Sequence, residues 1–156
     1  MPTIVEGGMV ATGKRFAIVV SRWNEFFGES LLEGALDTLR RHGASDEDVT
    51  VYRCPGCFEL PLVAKRVAQK GGVDAIICLG VLIRGSTPHF DSICSAATSG
   101  IASVGLEHDI HVSYGVITCD SLDQAIERSG SKVGNKGHEA TLAAIEMANL
   151  FEQIDG

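Results

Sequence analysis

Residues 75–91 read Ala75-Ile76-Ile77-Cys78-Leu79-Gly80-Val81-Leu82-Ile83-Arg84-Gly85-Ser86-Thr87-Pro88-His89-Phe90-Asp91, and this run decides the fold. An apolar stretch (75–79) feeds a glycine-hinged turn, and a long segment with apolar periodicity leaves it. That is a strand, a turn and a helix start. Ser86 or Thr87 can cap the helix, and Pro88 suits its first turn. The unpaired N–H groups of such a start form a ready anion site. Arg84 and His89 flank the turn, so phosphate binding and proton transfer can share one place.

Outward from this run the same alternation repeats. Residues 15–21 (RFAIVVS) form a short apolar run, a buried-strand pattern. Leu31, Leu32, Ala35, Leu36 and Leu39 recur at helical spacing, and Gly43 can end that helix. Residues 49–53 alternate like a strand, and 60–71 read as a helix with Pro61 near its first turn. The fully apolar run 73–82 is the expected central strand. Helical spacing covers 87 to about 107, and a strand is expected at 112–118. Ser121-Leu122-Asp123-Gln124 has capping-box form and opens a short helix. Asn135 opens the last helix, whose expected apolar face is Leu142, Ile145, Ala148 and Leu150, with Phe151 beside it. The order β-α-β-α-β-α-β-α-α predicts an α/β fold, a parallel sheet with helices on both faces. Ligands in such sheets bind beyond the carboxyl ends of the strands. Three turns fall there and are expected to converge: Ser21-Arg22-Trp23-Asn24, Cys54-Pro55-Gly56-Cys57-Phe58-Glu59, and 80–89.

The chain has 156 residues, 45% of them hydrophobic, which suits one domain spanning 1–156 with a real core. Residues 1–12 read as a loose arm or an edge strand. No apolar run approaches the length of a membrane span. The start has neither a basic region nor an apolar core of the signal-peptide kind. A formal charge of −7 without a basic tract argues against nucleic acid as a partner. The five cysteines, Cys54, Cys57, Cys78, Cys94 and Cys119, are an odd number, and with no secretion signal they favour reduced thiols in a cytoplasm.

Each chemical motif has a bland alternative. Trp23, the only tryptophan, can stack on a heteroaromatic ligand or simply pack under its loop. Cys54-Pro55-Gly56-Cys57 sits between strand and helix, where a redox pair belongs, but nothing else redox accompanies it, and two turn cysteines flanking a bend is the preferred reading. His89 suits a proton shuttle, or is only a solvated residue near a helix start. Arg128, Lys132 and Lys136 supply the positive charge a phosphate needs, or form an exposed helix junction. Lys136 and Glu139 lie one helical turn apart and can pair. The remaining histidines lack metal-ligand spacing. No phosphate-loop, dinucleotide or nucleophile-elbow motif occurs, so neither metal nor cofactor is implied.

SRWNEF (21–26), PG-x-FELP (55–61), LGVLIRGSTPHFD (79–91), YGVIT (114–118) and QAIERSGSKVGNKGHEA (124–140), taken together, resemble the 6,7-dimethyl-8-ribityllumazine synthase family nearly end to end. The third and fifth segments are highly specific in order and spacing. The resemblance implies a cofactor-independent transferase of riboflavin biosynthesis. Such an enzyme joins 5-amino-6-(D-ribitylamino)uracil to 3,4-dihydroxy-2-butanone 4-phosphate on a flavodoxin-like sandwich with a four-stranded parallel sheet. Carried over by position, it implies that Trp23 stacks on the pyrimidine. Asn24, Cys57, Phe58 and Glu59 would line the pyrimidine and ribityl pocket. Val81, Leu82 and Ile83 would give backbone contacts. Gly85, Ser86 and Thr87 would receive the phosphate, and His89 would shuttle protons. Arg128 would bind phosphate and Tyr114 cap the ring, each from an adjacent subunit, with Lys136 and Glu139 in the same region. Tyr114 stands where phenylalanine is expected, and Cys57 where serine or alanine is common.

The resemblance further implies a pentamer or a 60-subunit icosahedral shell, with riboflavin synthase as a potential cargo and neither nucleic acid nor membrane as partner. The short SGSKVGNKG link looks like the shell-forming type. Three rival readings remain: a non-catalytic flavin-binding protein on the same scaffold, a container without turnover, and a thiol–disulfide exchanger.

Overall fold

The computed structural model describes residues 1–85, 88–131 and 134–156, with the backbone alone at Ser131. Strand β1 (Phe16–Ser21) leads to helix α1 (Glu25–Arg41), β2 (Val49–Cys54), α2 (Leu60–Lys70), β3 (Ala75–Ile83), α3 (His89–His108), β4 (His111–Cys119) and α4 (Leu122–Arg128). A small antiparallel pair, β5 (Ser129–Ser131) and β6 (Gly134–Asn135), then precedes α5 (Lys136–Asp155).

β1 to β4 form one parallel sheet in the order β2-β1-β3-β4, with two sandwich layers of helices. Alternation along the strands assigns the layers. Phe16, Ile18, Val20, Ile77 and Leu79 pack with α1, α4 and α5; Ala17, Val19, Ile76 and Cys78 pack with α2 and α3. Because both faces are covered, β1 is buried along all six residues and β3 along its first seven. This is why those runs lack polar alternation. Each large core side chain so buried contributes about 1.5–3 kcal/mol relative to exposure. This is the expected α/β sandwich with a four-stranded parallel sheet.

Boundaries differ from expectation in instructive places. Helix α1 begins at Glu25 rather than Leu31. Its opener is Asn24, in the left-handed conformation (φ 64°), whose carbonyl accepts from the N–H groups of Phe27 and Gly28. Asparagine tolerates that conformation better than most residues. The helix ends as anticipated: Gly43 has φ 101°, and the Ala44 N–H returns to the Leu39 carbonyl. In α5 the buried contacts come from Gly137, Ala140, Thr141, Ala144, Ile145 and Ala148, while Leu142, Leu150 and Phe151 are only half-buried. Small residues let α5 lie close to its neighbours. Residues 1–11 are held at Glu6, Val10 and Ala11, although most of that stretch is exposed and without a regular element. Asn149 donates to the Val10 carbonyl (3.0 Å), Gln153 to that of Glu6 (2.6 Å), and buried Ala11 donates to that of His42 (2.9 Å).

One side chain holds the β5–β6 corner. Asn135 donates from Nδ2 to the carbonyls of Ser30 (3.0 Å) and Ser129 (3.3 Å), and its Oδ1 accepts from the N–H groups of Gly137 (2.8 Å) and His138 (3.2 Å). It opens α5, as the sequence suggests, and also pins it to α1 and to the end of α4. Arg128 and Lys136 emerge on either side of that pin.

Candidate active site

The first turns at the carboxyl ends of the strands do converge. The β1–β2 ladder continues past both strands: Arg22 N–H donates to the Cys54 carbonyl (2.8 Å) and Trp23 N–H to that of Pro55 (3.0 Å). Asn24 Nδ2 donates to the Val81 carbonyl (3.1 Å), tying the same turn to β3. Trp23 is 66% exposed, an unusual state for a large ring. Its inner edge lies against Gly56, where a Cβ would stand 2.4 Å from the ring. Only glycine lets the indole lie this close to the backbone. Glu59 Oε1 accepts from the Gly56 N–H (3.0 Å), which fixes that carboxylate at the same corner. Phe58 stands exposed on the rim.

β3 supplies the floor. Its pairing with β1 stops at Val20↔Leu79, while its pairing with β4 continues to Ile83↔Cys119. Residues 80–83 therefore run beyond β1 with one backbone edge free of strand pairing, and Asn24 uses one of its acceptors. That edge carries the backbone polar groups of Val81, Leu82 and Ile83, and Asn24 ties it to the turn that carries Trp23. Gly85 is exposed, with open space where a side chain would be. Ser86 and Thr87, expected to receive phosphate, lie outside the described residues. His89, exposed, is the first residue of α3.

Cys57 is placed differently from its neighbours. It is only 4% exposed, with Sγ 3.8 Å from Ser21 Oγ and packed against Gly80. It supports the pocket floor from below. Burial pushes the thiols of Cys54 and Cys57 each up to about 11. Reactive disulfide-exchange thiols need the opposite shift, because the thiolate is the nucleophile. All five cysteines are free. Two consequences follow for the Cys54–Cys57 pair. Iodoacetamide at pH 8 should leave both unmodified in the folded protein and label both in urea, read by mass spectrometry. Above pH 9 the unfolded chain releases these protons while the folded chain keeps them, so stability should fall as pH rises from about 9 towards 11.

A second group of expected residues gathers elsewhere. Arg128, at the end of α4, donates from Nη1 to the Thr118 carbonyl (3.3 Å). With Tyr114, Val116, Ile117, Thr118 and Lys136 it lines a cavity of about 260 Å³. A smaller cavity of about 150 Å³ adjoins it, lined in part by Tyr114, Lys136 and Glu139. The Tyr114 hydroxyl is held 2.9 Å from Thr98 Oγ1 of α3, a partner that no local pattern signals. Among the described contacts Lys136 and Glu139 form no ion pair with each other. This group lies along β4, the edge of the sheet, whereas Trp23, Glu59 and the free edge of β3 lie on the other side of the β3–β4 pair. Two larger cavities, of about 600 and 410 Å³, are lined by residues at the amino ends of the strands, such as Asp74, Ile110, Phe16 and Val73. Parallel sheets bind ligands at the other end, so volume is a poor guide here.

The profile of the 6,7-dimethyl-8-ribityllumazine synthase family matches residues 13–152. That span holds both groups. The chain belongs to the 6,7-dimethyl-8-ribityllumazine synthase family. The Chlorobium phaeobacteroides protein of that name is 59% identical over 150 residues, covering 96% of this chain and 97% of the relative. The Chlorobaculum tepidum protein of the same name is 58% identical, and that of Prosthecochloris aestuarii 56%, at the same coverage. The family is one of enzymes, and among the described residues no helix is long and apolar enough to cross a membrane.

Proposed function

We propose that the chain condenses 5-amino-6-(D-ribitylamino)uracil with 3,4-dihydroxy-2-butanone 4-phosphate to give 6,7-dimethyl-8-ribityllumazine, inorganic phosphate and two waters. The observation that carries this reading is a family match spanning residues 13–152, within which Trp23, Glu59, His89, Arg128 and Lys136 are all present. The uracil's 5-amino group attacks the ketone and one water leaves, forming an imine. Loss of a proton from carbon then expels phosphate. The enol so formed tautomerises to a ketone, and the ribitylamino nitrogen closes the ring on this new carbonyl, with loss of the second water. Each step moves protons, so the residues have three tasks. Trp23 stacks on the pyrimidine, with Asn24, Phe58, Glu59 and the backbone of Val81–Ile83 around it. His89 carries protons. Arg128 takes the phosphate with Gly85, Ser86 and Thr87.

The two groups of side chains stand on opposite sides of the β3–β4 pair, which supports a site built between chains rather than one closed within a single chain. We read the site as shared: the turns of one subunit meet Tyr114, Arg128, Lys136 and Glu139 of the next. A repeated interface of this head-to-tail kind closes into a ring when the rotation between neighbours divides a full turn. A pentamer, alone or within a 60-subunit shell able to hold riboflavin synthase, working in a cytoplasm, is the assembly that fits.

The test is to mix the protein with both substrates and follow phosphate release and lumazine absorbance together, against a control without protein. Coupled, saturable appearance of both products supports the reading. A rate no better than the control, from folded protein, removes it. A binding experiment addresses the pocket separately. The exposed Trp23 ring, the only tryptophan, should lose most of its fluorescence when a ribityl-pyrimidine analogue saturates the protein. No quenching at saturation, shown by calorimetry, would sink the stacking role.

A further inference from the structure

Arg84 is adjacent to the turn expected to receive phosphate, and an unpaired arginine there would be read as a phosphate ligand. The structure gives it other partners. Its backbone N–H donates to the Cys119 carbonyl (2.9 Å), adding one rung to the β3–β4 ladder. Its Nε donates to Asp120 Oδ1 (2.7 Å), and its Nη2 and Nη1 approach Asp91 Oδ1 (3.2 Å) and Oδ2 (3.5 Å). The guanidinium carbon sits 4.5 Å from the centre of the Phe90 ring. One planar cation thus spends three N–H groups on two carboxylates and lays its face over an aromatic ring. That is a task lysine does not perform.

The partners give the arrangement its meaning. Phe90 and Asp91 immediately follow His89 in the first turn of α3, and Asp120 immediately follows β4. Pro88, at the N-cap position, offers no side-chain cap. Ion pairs as exposed as these, with Arg84 46% accessible, add little to global stability. Their geometric effect is larger, because Pro88 itself gives the first turn no hydrogen-bonding cap to hold it.

We propose that Arg84 is a positioning residue, whose guanidinium clamps the first turn of α3 to the end of β4 and so sets where His89 stands over the site. This rests on the reading of His89 as proton carrier. Misplacing an acid–base group lowers the rate of the chemical step without weakening ring stacking or ribityl binding. The clamp also joins the segment carrying His89 to the β4–α4 corner, from which α4 leads to Arg128.

The experiment is a double-mutant cycle of Arg84→Gln with His89→Ala in the full-length protein, with a second readout that needs no turnover. Arg84→Gln should lower kcat about tenfold, with KM for the ribitylaminouracil and Tm essentially unchanged. Arg84→Lys should fall between, since charge without the fork holds only part of the clamp. Asp91→Asn combined with Asp120→Asn should match Arg84→Gln, and adding Arg84→Gln to that pair should do nothing more. His89→Ala alone should slow kcat about a hundredfold or more, and Arg84→Gln should have no further effect in that background. An equal loss with and without His89 would overturn the proposal, as would an unchanged kcat in Arg84→Gln. In parallel, hydrogen exchange of the amides of residues 89–92 should accelerate in Arg84→Gln while α1 and α5 stay protected; unchanged exchange overturns the clamp. If His89→Ala turns over normally, the shuttle role fails, and the exchange result alone then decides whether Arg84 holds α3.

Discussion

Gly137→Ala should cost about 3 kcal/mol of stability, a large share of the 5–15 kcal/mol that holds a domain of this kind together. A Cβ at Gly137 would stand 2.1 Å from the Leu31 carbonyl oxygen of α1. The atom it meets is backbone in the middle of a helix, so no side chain can swing aside. Either α5 moves away from α1 or α1 loses a helical hydrogen bond. Separation is the worse outcome, because the contact is a continuous column. Gly34 faces Asn135, where a Cβ would come 2.5 Å from Oδ1, and Thr38 Oγ1 is 2.6 Å from His138 Nδ1. Thr38 also donates to the Gly34 carbonyl (2.7 Å), so the ring nitrogen of His138 is the donor to Thr38. Pushing the helices apart breaks that bond and loosens the four made by Asn135. Gly134→Ala is the control. Gly134 has φ 106°, which strains any side chain by about 1–2 kcal/mol, but no atom of the described residues stands near where its Cβ would be. Urea midpoints of the two variants should separate clearly. Equal midpoints would mean that the α1–α5 approach is softer than the structure has it.

The same column shows where reading the sequence stops. Strand runs 16–20 and 75–81 are visible because burial on both faces leaves no charged or hydroxyl-bearing residue in them. The order of elements followed, and with it the parallel sheet and the end at which its turns gather. Trp23 and Glu59 could be placed at that end because each follows a strand closely. The start of α1 was not visible. Its first turn, EFFGES, carries Phe26 on the solvent side and Gly28 against the Ser21 carbonyl, so the apolar period appears only at Leu31. The β5–β6 pair was hidden for another reason: at three and two residues, with positive φ at Gly130 and Gly134, it has no period at all. The contacts of Asn135 to Ser30, of Tyr114 to Thr98 and of Arg84 to Asp120 join residues far apart in sequence. No local pattern encodes them. The separation of Arg128 from Trp23 is implied by the family resemblance but by no local pattern of residues. In the structure it rests on strand order, which puts β4, beside Arg128, at the edge and two strands from β1, which leads to Trp23.

Arg128→Ala should raise KM for the butanone phosphate about 30- to 100-fold and leave KM for the ribitylaminouracil within about twofold. Charge-assisted bonds to a phosphate are worth about 2–3 kcal/mol, and 1.4 kcal/mol is a factor of ten. Folding should be indifferent, since the side chain's described hydrogen bond is a long one to the Thr118 carbonyl. Equal effects on both substrates would contradict a phosphate role. The position of Arg128 across the β3–β4 pair from Trp23 permits a stronger experiment. If each site takes its turns from one subunit and its arginine from the next, two inactive chains can repair one another. Trp23→Ala combined with Glu59→Ala disables one half of the site, and Arg128→Ala disables the other. Co-assembled at random in equal amounts, about one interface in four pairs an intact half with an intact half, so about a quarter of full activity should return under conditions where neither variant alone turns over. Mixing the two after separate assembly should restore nothing until the rings exchange subunits. A site contained within one chain predicts no recovery in either case, because every chain then carries a damaged site of its own. Recovery that tracks subunit exchange would place the arginine and the indole on different chains.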